Sequence, residues 1–274
     1  MAKGVNGVLH PERKTLVVGI GEVGGALAEA LERTIPVLRH DLERVEFDCP
    51  IGVMHLCIPF ASPSQYEDAA LSYIDRFKPE LTIVNSTVVP GTTRTIGEKS
   101  RSPVAFSPVR GKHAHMVPDL FRYTKFVAAP NATTADLAAD HFARAGFRPR
   151  TMSKVEGLEL AKLAETTYFG VLIAFAQELN RFARHLDVDY FEATEFFEEI
   201  DFLPRTRYYP GFIGGHCVIP NIKLLKLIRD SHLLDAILAS NEARALEEPN
   251  ASAARARSDS AARPIDADSP GPTR

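Results

Sequence analysis

Apolar and polar positions along this chain follow two rhythms, and the change falls near residue 155. Before it, short runs rich in Val, Ile and Leu alternate with longer segments whose apolar residues recur every three or four positions. Residues 15–18 predict a strand that runs into glycines and then into the helical "ALAEALER", and "TIPVLRHD" predicts a second strand ending on Asp41. "PIGVMHLCIPF" reads as a buried strand, "QYEDAALSYIDRF" as a helix packed on the sheet, and "ELTIVNSTVV" as a strand ended at a turn by Pro90 and Gly91. "PVAFSPVRG" and "YTKFVAAP" add two strands, and "TTADLAADHFARAG" adds a helix for which Thr133 or Thr134 is the expected cap. Strands alternating with helices at this spacing predict an α/β fold, a mostly parallel sheet covered on both faces.

After residue 155 the strand signals stop. "KVEGLELAKLAETTYFGVLIAFAQELNRFARHL" has no proline, and Gly157 and Gly170 are its only glycines. A helix of roughly thirty residues would span about 45 Å, too long for a crossover on a small sheet, so it should join two lobes or pair with a second subunit. Its middle, "YFGVLIAFA", is apolar nearly all round, which favours burial on several sides. "DYFEATEFFEEI" predicts a small helical unit, and "IKLLKLIRDSHLLDAILASNEARALEE" predicts one or two closing helices. The last stretch, from "PNASAARARS" onward, is poor in large apolar residues and is expected to be disordered.

Composition narrows the functional classes. The chain has 274 residues, enough for one large domain or for a nucleotide-binding domain with a smaller helical partner. With 32 basic and 35 acidic residues the net charge is -3, so no whole-chain electrostatic case exists for nucleic acid. Cys49, Cys57 and Cys217 have neither the density nor the spacing of a disulfide scaffold, and no CxxC pair points to zinc. "MAKGVNGVLHPERK" has no apolar run of signal-peptide length, and later apolar stretches are broken by charges before membrane-spanning length. The expectation is a cytoplasmic protein with no membrane and no nucleic-acid partner.

The first glycines carry a specific signal. Gly19, Gly21 and Gly24 form G-x-G-x-x-G between a strand and a helix, with Asp41 at the end of the next strand about twenty residues on. In that context Gly19 allows a tight turn, Gly21 lets backbone approach a pyrophosphate, and Gly24 permits close helix packing. The helix start, at Glu22 and Val23, offers N–H groups to phosphate. A carboxylate at Asp41 can accept from ribose hydroxyls and repels a 2'-phosphate, so NAD is the expected cofactor; Arg39 and His40 just before it weaken that preference. The bland alternative is an empty turn with Asp41 capping the strand. With Pro59 of "CIPF" and Thr87, the candidate cofactor set is Gly19, Gly21, Glu22, Val23, Gly24, Asp41, Pro59 and Thr87.

Three further positions are candidates for chemistry. Thr87, in "NSTVVPG", falls at the carboxyl end of a strand, where ligands sit in such folds; it is also an ordinary turn residue. Lys162 shares a helix face with Glu159 and Thr166. Such a lysine usually snorkels, but facing a cleft it could stabilise a developing oxyanion. Cys217 follows Gly214, Gly215 and His216 in "YYPGFIGGHCVIPN". It can be read as a nucleophile, a substrate contact or a core cysteine, whereas one adjacent histidine does not complete a metal site.

Taken in order, "GIGEVGG", "CIPF", "NSTVVPGTT", "ELAKLAETTYFGVLIAFAQELN" and "PGFIGGHCVIPN" resemble the NAD-dependent nucleotide-sugar 6-dehydrogenases, the UDP-glucose and UDP-N-acetylmannosamine dehydrogenases among them, over roughly residues 12 to 230. The resemblance implies a Rossmann domain over residues 12–152 and a helical dimerisation and catalytic domain over 153–248, with 249–274 as the tail. It implies a homodimer through the long helix. It also implies oxidation of a primary alcohol through an aldehyde to an acid, with a cysteine thiohemiacetal oxidised to a thioester. Cys217 then matches the nucleophile, Lys162 the lysine that stabilises the reacting oxygen, and Thr87 the threonine of the serine-threonine-valine turn. Arg207 matches a substrate-contacting arginine that reaches the neighbouring subunit's site.

Several positions depart from that pattern. Val109 stands where the family has a glutamate, although Arg110 fits the arginine of one subfamily. Thr166 stands where it has asparagine, Asn221 where it has aspartate, and the carboxy-terminal nucleotide-holding domain is not represented. The altered groups belong to water and proton handling rather than to hydride transfer, which the cofactor supplies. The expectation is an NAD-dependent enzyme oxidising a hydroxyl of a sugar-like, nucleoside-like or phosphorylated small molecule. Arg110, Lys112 of "RGKHAH", Arg207 of "RTRYY" and Gly214 are the substrate candidates, and Cys217, Lys162, Thr87, Thr166 and Asn221 the catalytic ones. A redox-neutral enzyme with tightly held NAD and a non-catalytic dimeric module are the alternatives.

Overall fold

The computed structural model describes residues 9–10, 12–42, 47–111, 115–197, 200, 203, 208–215 and 217–248. The expected tail at 249–274 and the candidates Lys112 and Arg207 lie outside the described residues, as does His216. The chain forms two compact units, Met1–Lys162 and Leu163–Arg274.

The first unit is a Rossmann-like α/β domain. Five parallel strands, β1 (Lys14–Val18), β2 (Val37–His40), β3 (Ile51–Leu56), β4 (Leu81–Val84) and β5 (Val104–Phe106), lie in the order β2-β1-β3-β4-β5. Strand alternation sorts the side chains to two faces. Val17, Val53 and Ile83 meet α1 (Glu22–Glu32), α4 (Met116–Arg122) and α5 (Ala132–Arg144). Leu16, Val18, Met54 and Leu56 meet α2 (Pro63–Phe77), α3 (Thr92–Ser100) and the start of α6 (Val155–His185). Both faces are covered, which is why the strands read as continuous apolar runs rather than alternating ones.

Two short parallel strands, β6 (Lys125–Val127) and β7 (Pro149–Thr151), form a second sheet, joined to the first by an antiparallel bridge between Phe106 and Ala128. The chain leaves β1 for β2 on one side and for β3 on the other. That places a topological switch point between the carboxyl ends of β1 and β3, the crevice where open α/β sheets bind ligands.

The sequence reading anticipates neither α4 nor β7, each a short element with little periodic signal of its own, and two further details differ from it. The cap of α5 is Asn131, whose side chain accepts from the Thr134 N–H at 2.9 Å, so neither Thr133 nor Thr134 serves. Asn131, two residues before Thr133, has the extended backbone conformation that precedes a helix, and asparagine there is a strong acceptor. Helix α3 had no sequence signal because Ile96 is its only large apolar residue. Its start is instead fixed by a distant carboxylate, described below.

The second unit is all helical: the remainder of α6, α7 (Tyr190–Glu195), α8 (Val218–Ile228) and α9 (His232–Glu247). The full α6 has 31 residues. Ile173, Ala174, Ile213, Val218, Ile222, Leu234 and Ile237 form the core of this unit. Gly170 sits where α8 meets α6: a Cβ there would lie 2.9 Å from Val218 Cγ1 and 3.1 Å from Ile222 Cδ1. The lone glycine in an otherwise apolar stretch is a docking notch for the next helix.

Candidate functional site

At the switch point the three glycines have separable reasons. Gly19 follows β1 with φ +86°, its N–H donates to His40 O at 2.9 Å, and a Cβ would stand 2.7 Å from Cys57 O. Gly24, in the first turn of α1, would put a Cβ 1.8 Å from Gly19 O. The protein's own packing therefore demands both. Gly21, the residue before α1, is different: a Cβ there meets nothing within 4 Å. Among the described residues nothing excludes a side chain at Gly21, and the space above it is open. Among the described residues no side chain caps α1 either, so the N–H groups of its first turn, from Glu22 and Val23 onward, can receive an anion. These features fit a dinucleotide pyrophosphate.

At the end of β2, Asp41 is exposed. The two residues that tempered the NAD reading are committed elsewhere. Arg39 donates to both carboxylate oxygens of Glu32, at 2.8 and 2.6 Å. His40 is buried and edge-on to Tyr73 and Phe77, at 5.7 and 5.4 Å. Pro59 is exposed in the loop after β3, and the half-buried Thr87 follows β4. Ser86 ties these two loops together by donating to Ile58 O at 2.6 Å.

Glu159, which the sequence placed only as a neighbour of Lys162, holds the segment that follows Thr87. Its fully buried carboxylate accepts from Gly91 N at 2.7 Å, Thr93 N at 2.9 Å and Thr93 Oγ1 at 2.6 Å. It thereby supplies from α6 the missing cap of α3. Burial raises its pKa against the pull of those donors. Lys162, half-buried, stands one turn further along α6.

Beneath the loops lies a buried polar chain that sequence reading missed. Asn85 Nδ2 donates to Ser107 O at 2.6 Å, which turns its Oδ1 toward His55 Nδ1, 2.9 Å away. His55 Nδ1 must carry the proton, so its Nε2 accepts from His141 Nε2 at 3.0 Å. Burial depresses the His55 pKa to about 3 and drives His141 down as well, so both rings are neutral. Lys125 Nζ donates to Ser107 O at 3.2 Å and Pro108 O at 3.0 Å and lies 4.9 Å from the Phe142 ring. Burial, with Arg110 and Lys162 acting in the same direction, lowers its pKa to about 7, while burial raises the Cys57 thiol to about 12. Isolated His and Lys letters in strand and helix patterns gave no signal of this pairing.

Val109 is buried against the apolar core of the first unit, which also holds Met116 and Leu120. Arg110 donates to Thr124 O at 2.6 Å and lies over the Phe126 ring at 5.0 Å.

In the second unit, Cys217 is exposed and is the residue immediately before α8, whose start no side chain caps among the described residues. Gly215 before it has φ +78°, a conformation glycine adopts without strain, and Gly214 is half-buried. Buried Asn221, one turn into α8, donates from Nδ2 to Thr166 Oγ1 at 2.9 Å, and Thr166 donates to Leu163 O at 3.1 Å. This pair is neutral and directionally fixed. No group of three or more His, Cys, Asp or Glu that could hold a metal occurs among the described residues. No helix among them is long and apolar enough to cross a membrane.

Comparison with known proteins adds a second line of information. Residues 156–243 match the central domain of the UDP-glucose/GDP-mannose dehydrogenase family. The chain is 26% identical over 166 residues to the UDP-N-acetyl-D-mannosamine dehydrogenase of Methanocaldococcus jannaschii, covering 57% of this chain and 39% of that protein. It is 26% identical over 198 residues to that of Pyrococcus horikoshii, covering 64% and 46%. The chain thus spans less than half the length of these curated relatives. Among solved structures it superposes on UDP-D-ManNAc dehydrogenase from Pyrococcus horikoshii with TM-score 0.72 at 19% identity, covering 84% of this chain and 68% of that one. It superposes on Mycobacterium tuberculosis 3-hydroxyisobutyrate dehydrogenase with TM-score 0.64 at 12% identity, covering 87% and 94%. The structural likenesses show the fold. The sequence matches relate the chain by homology to the nucleotide-sugar dehydrogenases over part of their length.

Proposed function

We propose that this protein is an NAD-dependent oxidoreductase that oxidises a hydroxyl of a sugar-like, nucleoside-like or phosphorylated small molecule. The observation that carries the reading is the glycine turn at the switch point: two glycines are demanded by the fold, and the third faces open space above an uncapped helix start. Gly19, Gly21, Glu22, Val23, Gly24, Asp41, Pro59 and Thr87 would hold NAD, which would supply the hydride acceptor. With Arg39 paired to Glu32, Asp41 is left to select against a 2'-phosphate. Lys162 would stabilise the oxygen of the reacting carbon, Thr87 would orient it, and Cys217 would present a thiol to the carbonyl product. Arg110, Lys112, Arg207 and Gly214 are proposed for the substrate side. The Arg110 bond to Thr124 supports a role in shaping the loop as well.

The protein is proposed to act as a homodimer through α6. Tyr168, Leu172, Phe175, Leu179, Phe182 and Leu186 recur at alternating spacings of four and three, the period of a helix-pairing seam. Tyr168, Phe175, Phe182 and Leu186 are each more than half exposed. Light scattering that gave a monomer at micromolar concentration would refute this.

Two observations favour a second reading, a redox-neutral enzyme that keeps its NAD. Val109, at the family's glutamate position, is core, and Asn221 is locked to Thr166, so neither can act as a base. The test is calorimetric NAD binding followed by NADH formation across nucleotides, sugars and sugar phosphates, with Cys217→Ala and Lys162→Ala variants. No NAD binding and no turnover would sink both readings. Copurified NAD with conversion and no net NADH would select the second. Loss only with Lys162→Ala would mark a dehydrogenase that stops at the carbonyl.

A further inference from the structure

The loop that leads into Cys217 is held by side chains to which the sequence motifs assign no role. Gln177 of α6, fully buried, donates from Nε2 to Gly211 O at 2.7 Å and to Asn241 Oδ1 at 3.3 Å. Asn241 of α9, also buried, accepts from Ile213 N at 2.7 Å and donates to Ile213 O at 3.1 Å, pairing with the loop as a neighbouring strand would. The Gln177 amide cannot flip, because Ser240 Oγ donates to its Oε1 at 3.0 Å. Arg181 in turn donates to Ser240 Oγ at 3.0 Å and to Ser240 O at 2.9 Å. Upstream, Tyr190 Oη donates to Tyr208 O at 2.7 Å.

We infer that Gln177 and Asn241 are positioning residues for Cys217, fixing the approach of the loop that delivers the thiol to the start of α8. The inference rests on the assignment of Cys217 as the reacting thiol. On the far side of the cysteine, α8 is fixed by its seat at Gly170 and by the Asn221 bond to Thr166. Gly214 and Gly215 alone would leave the intervening backbone loose. Clamping Ile213 before them and α8 after them confines the thiol from both ends. Every polar atom of the two amides engaged here meets a partner of the right sense, so the clamp is rigid as well as buried.

The test uses the intact protein and reads the thiol directly. Asn241→Leu and Gln177→Met keep side-chain bulk and remove the hydrogen bonds. Iodoacetamide labelling of Cys217, assigned by peptide mapping against Cys49 and Cys57, is followed across pH in folded protein. The expected result is a roughly tenfold change in Cys217 labelling rate with an altered pH profile, while Cys49 labelling is unchanged. An unchanged Cys217 rate and profile in folded variants would overturn the inference. Should the variants not fold, amide exchange in the unmodified protein decides: Ile213 N–H is expected to exchange far more slowly than Gly215 N–H, and equal rates would overturn it. Labelling needs no turnover, so it separates this inference from the dehydrogenase reading. Full activity of Cys217→Ala would remove the catalytic role of the thiol and leave the clamp to be judged by labelling alone.

Discussion

Lowering the pH should destabilise this protein through the buried pair His55 and His141. In the native state both rings are neutral. His55 gives its Nδ1 proton to Asn85 and takes one from His141, so a further proton on His55 sets N–H against N–H. Its pKa falls from the ordinary 6.5 to about 3. The unfolded chain binds the proton through that interval and the native state does not, so stability is present above about pH 6.5 and is lost as pH falls toward 3. His55 alone should remove about 2 kcal/mol between pH 8 and pH 5. His141, also depressed by burial, and His40 act in the same direction.

Lys125 acts in an adjoining window. Its pKa is lowered from 10.5 to about 7, so its cost is full below about 7 and is relieved as pH rises toward 10.5. Going from pH 8 to 7 therefore deepens the loss, which then levels off. Urea titrations at closely spaced pH values, with m-values compared, give the slope. His141→Leu should cost about 1–3 kcal/mol at pH 8 by leaving His55 Nε2 without a donor. It should also flatten the acid slope. Unfolding free energy constant between pH 8 and 5.5, or an unchanged slope in His141→Leu, would refute the reasoning.

Gly24→Ala and Gly21→Ala should separate fold from ligand. The first drives a methyl into Gly19 O and should lower the melting temperature strongly, whereas the second should leave the melting temperature of the free protein unchanged and weaken NAD in calorimetry. Glu159→Gln puts an amide N–H among donors that need an acceptor and should cost about 2 kcal/mol in denaturant titration. An undisturbed midpoint would contradict the capping role. Val109→Glu should destabilise by several kcal/mol, on the order of the cost of burying an unpaired carboxylate. It should not increase acid formation from an aldehyde substrate, as followed by mass spectrometry.

What the sequence made legible was whatever is periodic or local. The strand runs, the glycine turn and the long helix each announce themselves within a few residues of chain, and the structure has all three. The cap of α5 was missed by a few positions because Asn131, Thr133 and Thr134 are all competent acceptors and only backbone conformation chooses among them. Helix α3 was missed because its start depends on Glu159, more than sixty residues away. His55, Lys125 and His141 come from three separate elements and Asn85 from the loop after β4, and no spacing rule joins them. Gly170 could have been found, since a glycine amid Phe, Val and Leu in a helix needs a packing reason. Gln177 and Asn241 could not, because an amide looks the same in sequence whether it faces water or a carbonyl.

Asn85 has one consequence that reaches across the whole interior of the first unit. Because Ser107 O accepts from its amide nitrogen, one backbone carbonyl at the end of β5 dictates the direction of every bond in the row that follows, through His55 to His141. The row from Asn85 to His141 has a single polarity and no spare proton, so these three side chains carry no net charge. An aspartate at position 85 would erase that polarity. It would accept from either side, invite a proton onto an imidazole, and turn a neutral row into a charged one.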